Sequence, residues 1–283
     1  MSPGTQNPGV IDAPLRSSPV GAVMIALAIA VLSVALITPG VVSRWIGLDW
    51  IGLVLLLFLL TGWMLRLVFA VHVTLIALLL VAPASILPMV LSWPLAILAP
   101  LAVYAAVVGL LQPLRHSVGW LHGGAIDSGV LGLMLATIAI SALSLIGWVA
   151  WAKPDIARHL ALIPELPVWA YPFAGIGFAI ANAVMEEAVF RGVIMEALDS
   201  AFGADYRSVV LQAVPFAALH YLAGFPSGWL GFVMVLVYGV MLGVIRRRSS
   251  GMLGPLIAHV GADMSIFAIL AVVLYRHDGG AVL

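Results

Sequence analysis

The sequence predicts an all-α, polytopic membrane protein, a bundle of about eight to nine transmembrane helices. Composition is the first reason, since 64% of the 283 residues are hydrophobic and 8% are charged. Soluble domains carry about 25% charged residues, so this chain cannot cover a surface that faces water. The second reason is a series of apolar runs of about 20 residues, the length that crosses a bilayer as a helix. Finally, no segment alternates as a barrel strand does, which leaves helices as the spanning structure.

Charge and cysteine content exclude several classes of function. The formal net charge is zero, and no basic block is large enough to suggest a nucleic-acid partner. The triplet Arg246–Arg248 is better interpreted as a topology signal at the end of a span. The chain has no cysteine, which excludes disulfides and thiolate-bound metals. The apolar composition predicts a multi-pass integral protein surrounded by lipid bilayer, and we expect that bilayer to be the plasma membrane of a bacterium.

The first half of the chain is a tail followed by transmembrane helices. Residues 1–18 are polar and rich in Pro, Gly and Ser, which predicts a disordered tail, and residues 19–151 form the N-terminal group of spans. The apolar runs are Val20–Val42 with a late interruption at Pro39–Gly40, then Trp50–Leu65, 67–112 and Val130–Trp151. The run 67–112 has no formal charge over 46 residues. It fits two crossings separated near Pro83–Pro88, or a re-entrant piece broken by prolines, so the number of spans is open by one.

The second half begins after a polar linker, residues 152–167, which we expect to lie in the membrane interface because tryptophans flank it. Residues 168–276 then contain four further apolar runs and are predicted to form a four-helix core. These runs are Val168–Leu198, Val209–Leu222, Trp229–Ile245 and Met252–Tyr275.

The sixth span carries the first unusual group of polar residues. Glu186, Glu187 and Arg191 follow an apolar run in which Asn182 is the one strongly polar side chain. An ionisable group at membrane depth costs roughly 2.5–3.5 kcal/mol on insertion scales, so three within six residues indicate a functional site. Glu187 and Arg191 are four apart and share a helix face, which predicts an ion pair. Glu186 is rotated toward a stripe of small residues and should face a crevice between helices.

The seventh and ninth spans add matching polar pairs. Phe216 and His220 are four apart on one, and His259 and Asp263 are four apart on the other. A turn near Gly203 between the sixth and seventh spans would bring Glu186 and His220 to similar depth, given a helical rise of about 1.5 Å per residue.

These residues support two chemical schemes, and the sequence does not choose between them. In one, Glu186 and His220 activate a water, while His259 and Asp263 stabilise the developing oxyanion. In the other, the set Glu186, His220, His259 and Asp263 binds zinc across helices. Both schemes predict that water attacks a peptide carbonyl.

The motifs Glu186-Glu187-x-x-x-Arg191, Phe216-x-x-x-His220 and His259-x-x-x-Asp263 resemble, in this order, those of the CAAX protease and bacteriocin-processing (CPBP, also called Abi) family, which includes the type II CAAX prenyl proteases. The resemblance covers 168–275 and implies an intramembrane endopeptidase of the glutamate type, with the catalytic site in the four-helix core. It implies that Glu187, Arg191 and Phe216 support the site or contact substrate.

The resemblance also bears on cofactor and substrate. The third motif often ends in Asn, and here it ends in Asp263, whose ionised carboxylate cannot donate a hydrogen bond. Members have been labelled metalloproteases, so zinc is the cofactor that the family would add, held by the same four residues. The implied substrate is a peptide or membrane protein, which includes prenylated Cys-a-a-X proteins and bacteriocin-related peptides.

Two functions from other classes compete with proteolysis. A proton- or ion-coupled transporter would use the same buried groups as a relay, but it would typically show inverted repeats and broken helices, and the sequence shows neither. A non-catalytic binding or immunity protein would share the fold without the reaction.

Overall fold

The computed structural model describes residues 16–38, 48–86, 93–161, 163 and 165–277, and this part of the chain contains helices and no strand. The predicted all-α class is therefore confirmed. Of the predicted tail, only residues 16–18 are described. There the backbone N–H of Ser17 donates to the carbonyl of Ser200 at 2.9 Å.

Within the described residues, nine long helices form the architecture. They are α1 (Pro19–Ile37), α2 (Leu48–Met64), α3 (Val68–Ile86), α4 (Leu95–Leu110), α5 (Ser128–Ala152), α6 (Tyr171–Glu187 continued through Ala188–Ile194 and Met195–Phe202), α7 (Tyr206–Ala223), α8 (Gly228–Ser249) and α9 (Leu253–His277). The uncharged run 67–112 thus supplies two helices, α3 and α4, with 87–92 outside the described residues. The first predicted span is shorter than expected, because α1 ends at Ile37, before the Pro39–Gly40 interruption.

Several of these helices can cross a membrane. Among the described residues, five are long and apolar enough, at Pro19–Ile37, Ser128–Ala152, Val168–Phe202, Gly228–Ser249 and Leu253–Val273, and three shorter apolar helices lie in the first half. The protein is therefore an integral membrane protein. The helix α7 is not in this set, since it carries Arg207, Gln212 and His220 within its 18 residues. The count of eight to nine crossings stays a prediction.

The helix α6 changes its winding in the middle. A π-helical segment, Ala188–Ile194, begins directly after Glu187 and contains Arg191. Such segments shift the phase of side chains along a helix and occur often at functional sites. The helix then ends at Phe202, and Gly203 follows with a φ of +91°, at the position where the sequence predicts the turn.

The largest hydrophobic core joins the two halves of the chain. It includes Ile25 of α1, Ile76 of α3, Ile194 of α6 and Phe216 of α7, all essentially inaccessible. In the second half, α7 packs along α8, and α9 packs against both α5 and α6. The linker 152–167 contains a short helix, Ala157–Leu160, that contacts α9. The helices that carry the site residues are thus packed against other helices of both halves of the chain.

A backbone clasp ties the segment before α5 to the turn between α8 and α9. The N–H of Ala125 donates to the carbonyl of Ser249 at 2.8 Å, and Met252 donates to His122 at 2.8 Å. The two backbone segments approach so closely that a Cβ atom added at Gly251 would lie 2.1 Å from the backbone nitrogen of Gly124. Only glycine fits at this crossing.

Candidate active site

The predicted site residues of α6 and α9 are buried and converge. Glu186 and Glu187 end the first segment of α6, one residue before the π-helical turn, and His259 and Asp263 lie in the first half of α9. Their side chains belong to residues that are between 1% and 5% exposed. Because buried ionisable groups are costly without partners, their mutual contacts are the first feature to establish.

His259 lies at the centre of three carboxylates. Its Nδ1 is 2.7 Å from Oε1 of Glu187, so this nitrogen donates to the carboxylate. Its Nε2 lies 3.4 Å from Oε2 of Glu186 and 3.7 Å from Oδ1 of Asp263. Both ring nitrogens therefore face carboxylate oxygens, and the imidazole links all three acidic residues.

Glu187 and Arg191 form the predicted ion pair. The guanidinium donates through NH1 to Oε1 of Glu187 at 2.8 Å, with both side chains almost fully buried. Its NH2 donates to the carbonyl of Gly239 on α8 at 3.3 Å. The guanidinium carbon also lies 4.3 Å from the ring centre of Phe216, a cation–π contact. Arg191 thus connects α6 with α7 and α8 and positions Glu187 toward His259.

Asp263 is held by a series of hydrogen-bonded side chains that extends to a residue in the N-terminal half of the sequence. The side-chain amide of Asn182 donates to Oδ2 of Asp263 at 3.1 Å. In turn, the indole N–H of Trp93 donates to Oδ1 of Asn182 at 3.0 Å. Asn182 is conspicuous in the sequence as a polar residue in an apolar run, whereas Trp93 lies about 90 residues away and gives no signal.

His220 is oriented by its own helix. Its Nδ1 lies 2.9 Å from the carbonyl oxygen of Phe216, which can only accept, so Nδ1 carries the hydrogen. In neutral imidazole this leaves Nε2 as an acceptor. Within the described residues no hydrogen bond or ion pair joins His220 to Glu186, and their cooperation on a water stays a prediction.

A cavity of about 240 Å³ lies beside these residues, between α5, α7, α8 and α9. His220, His259 and Asp263 line its polar side together with Tyr238, Ser141 and Ser144. The rest of the wall is apolar, formed by residues such as Leu145, Val233 and Ile266. Tyr238 and the two serines do not stand out in the sequence, because single hydroxyls are common in transmembrane helices and carry no spacing signal.

The arrangement does not fit the zinc scheme. Within the described part of the chain, no group of three or more His, Asp or Glu side chains is placed to hold a metal ion. Zinc in catalytic sites takes three protein ligands, and the described residues present no such set.

Comparison with known proteins finds a family that is similar to part of the second half of the chain. Residues 167–265, about a third of the chain, match the family described as type II CAAX prenyl endopeptidase, Rce1-like. The match contains all three motifs, from Glu186 to Asp263. Over these residues it supports the predicted CAAX protease family and, together with the apolar helices, a protease of the membrane. No curated protein and no solved structure matches the chain.

Proposed function

We propose that the protein is an intramembrane endopeptidase of the glutamate type, which hydrolyses a peptide bond with a water activated by Glu186 and His220. The observation that carries this proposal is the burial of Glu186, His259 and Asp263 together, beside a cavity that His220 also lines. A fold has no structural need for such a group inside a membrane, where ionisable residues usually serve function.

Two unused acceptors support the assignment of the water-activating pair. Oε2 of Glu186 is buried and accepts no hydrogen bond within the described residues. Nε2 of His220 is the acceptor nitrogen of its tautomer and likewise has no such bond there. We propose that one water lies between these two acceptors, donates a hydrogen bond to each and directs its oxygen toward a carbonyl carbon.

The reaction then proceeds by general acid–base chemistry. The water oxygen bonds to the carbonyl carbon while Glu186 takes a proton. The tetrahedral species collapses, the carbon–nitrogen bond breaks, and the proton passes to the leaving nitrogen. The products are a carboxyl group and an amine. Glu187, Arg191 and Asn182 act as positioning residues, because they hold His259 and Asp263 through the bonds described above.

The substrate class follows from the cavity wall. Because most of that wall is apolar, an extended peptide with an apolar chain or a lipid-modified terminus would fit better than a polar peptide. A prenylated Cys-a-a-X peptide and a segment of a membrane protein are the two substrates that we propose to test first.

The decisive experiment is peptide cleavage by the purified full-length chain in detergent, with both substrate types. We expect Glu186→Gln and His220→Ala to lose activity by about 10²–10⁴-fold, the usual contribution of a general base. Matched controls are Glu165→Gln in the linker and His116→Ala, both at exposed positions outside the site. These two variants should cleave as the wild type does.

A strong chelator separates the two chemical schemes in the same assay. Cleavage that persists with chelator but is lost in both site variants would support the glutamate-type reaction. Loss on chelation with recovery on added zinc would contradict it and make these residues ligands. Absence of cleavage across a broad peptide library would favour the binding or immunity function.

A further inference from the structure

The developing oxyanion of the proposed reaction lacks an evident donor among the motif residues. Both ring nitrogens of His259 face carboxylates, at 2.7 Å, 3.4 Å and 3.7 Å. Asp263 offers oxygens that accept from Asn182, and an ionised carboxylate would repel a second negative charge. A neutral donor at the cavity wall would resolve this conflict.

Tyr238 on α8 has the chemistry and the position of such a donor. Its hydroxyl is buried and has no hydrogen-bond partner within the described residues. A buried hydroxyl left unpaired is destabilising, so a tyrosine at this position needs a reason that the described residues do not supply. Tyr238 also lines the cavity that contains His220, His259 and Asp263.

The ring of Tyr238 is fixed against the site. It packs edge-on to the ring of His259, with centroids 5.5 Å apart, and lies 6.2 Å from the ring of Phe216. The next residue, Gly239, accepts hydrogen bonds through its carbonyl from Arg191 at 3.3 Å and Gln212 at 2.8 Å. Both bonds fix the position of α8 relative to α6 and α7 at this point, so the hydroxyl of Tyr238 has a defined position.

We propose that Tyr238 is a further catalytic residue, whose hydroxyl donates a hydrogen bond to the carbonyl oxygen of the scissile peptide and stabilises the oxyanion. This inference rests on the proposed peptidase function. It assigns the oxyanion to a neutral phenol instead of to His259 and Asp263, which then serve to orient Glu186 and the water.

The test compares Tyr238→Phe with the wild type and with the control Tyr221→Phe. Tyr221 follows His220 on α7, but its ring packs against Trp229 and it does not line the cavity. Removal of one oxyanion donor should lower kcat by about 10²–10³-fold, with KM unchanged. A peptide phosphinate that mimics the tetrahedral species should lose affinity in Tyr238→Phe, whereas the uncleaved substrate should bind as before. Tyr221→Phe should change none of these values.

Thermal unfolding distinguishes catalysis from a structural role. Because the hydroxyl has no partner among the residues that the structure describes, Tyr238→Phe should unfold at the same or a higher temperature than the wild type. A variant that is misfolded, or that keeps kcat within twofold, would overturn the role of Tyr238 while wild-type cleavage leaves the proposed function standing. A wild-type chain that cleaves no peptide would overturn both.

Discussion

At the scale of single residues, the site is a balance of buried charges. Glu186, Glu187 and Asp263 surround His259, and Arg191 is the fully buried cation paired with Glu187. Removing one partner of a buried pair is strongly destabilising, by about 3–5 kcal/mol, because an uncompensated charge remains. The stability of the core and its chemistry therefore depend on the same few atoms.

Arg191→Ala is expected to lower both the yield of folded protein and the peptidase activity. Glu187 would lose its cation, and Gly239 would lose one of its two donors. Size-exclusion chromatography and thermal unfolding in detergent measure the first effect, and peptide cleavage measures the second.

Arg207→Ala is the matched control for this prediction. Arg207 also pairs with an acidic residue, Asp205, but its side chain is 67% exposed. That guanidinium holds the pKa of Asp205 below its ordinary value through a hydrogen bond, yet exposed pairs contribute little to stability. We expect no change in this variant. A fully folded and active Arg191→Ala would contradict the role given to the buried pair.

Asn182→Leu should reduce kcat/KM by roughly 10–100-fold, since a hydrogen bond to a charged group is worth about 1.5–3 kcal/mol. The substitution removes the donor to Asp263 and keeps a side chain with the same number of heavy atoms, branched at Cγ. Trp93→Phe removes only the outer bond to Asn182 and keeps an aromatic ring against Phe178, so its loss should be smaller. Equal losses in the two variants would show that Asn182 does not act through Asp263.

The sequence predicts the charged residues of the site better than its neutral ones. Glu186, Arg191 and Asp263 stand out because charge is rare in apolar helices. Tyr238 and Trp93 carry no such contrast, and their role depends on which helices become neighbours. The hydrogen bond between His259 and Glu187 could not be predicted either, since spacing along one helix gives no information about a partner on another helix.

At the scale of elements, helix boundaries follow local signals and helix winding does not. Ser18 accepts from the N–H of Gly21 at the start of α1, and Gly203 ends α6 with a positive φ, as capping rules predict. The π-helical segment Ala188–Ile194 could not be predicted, because one extra residue per turn barely alters an apolar pattern. It nevertheless lies directly after Glu186 and Glu187, between them and the rest of α6.

The contact between α7 and α8 depends on one small residue. A Cβ at Gly239 would lie 2.9 Å from Cβ of Ala213 and 3.0 Å from a ring carbon of Phe216. Gly239→Ala is therefore expected to destabilise the chain by about 1–3 kcal/mol through overpacking. It should also lower activity, because Tyr238 and the acceptor of Arg191 move with α8.

Gly132→Ala on α5 is the control for this substitution, since a Cβ there would meet nothing within 4 Å. Thermal unfolding of both variants in the same detergent measures the difference. A Gly239→Ala variant as stable as Gly132→Ala would mean that α7 and α8 can separate without penalty.

At the scale of the whole molecule, the family motifs and the supporting helices form one body. The match to the family covers residues 167–265, yet the largest core joins Ile25 and Ile76 to Ile194 and Phe216. The first half is therefore required to bury α6 and α7. The sequence of the first half predicts the number of its apolar runs. It does not predict that these helices bury α6 and α7, because long-range packing leaves no local pattern.

A C-terminal fragment that begins at residue 164 should not yield folded or active protein on its own. Co-expression of residues 1–163 with 164–283 should restore both, because the break lies in the linker between the halves. Co-purification of the fragments and peptide cleavage measure the outcome. Activity in the C-terminal fragment alone would show that the core stands independently of α1 and α3.

The clasp between Gly124 and Gly251 sets how the bundle can open. Backbone bonds from Ala125 and Met252 lock the end of α8 and the start of α9 to the segment before α5. With that end fixed, we expect any outward movement of α8 to pivot at the glycine crossing. Displacement is then greatest at the far end, near Gly228, so a long substrate should slide in from that side of the bilayer.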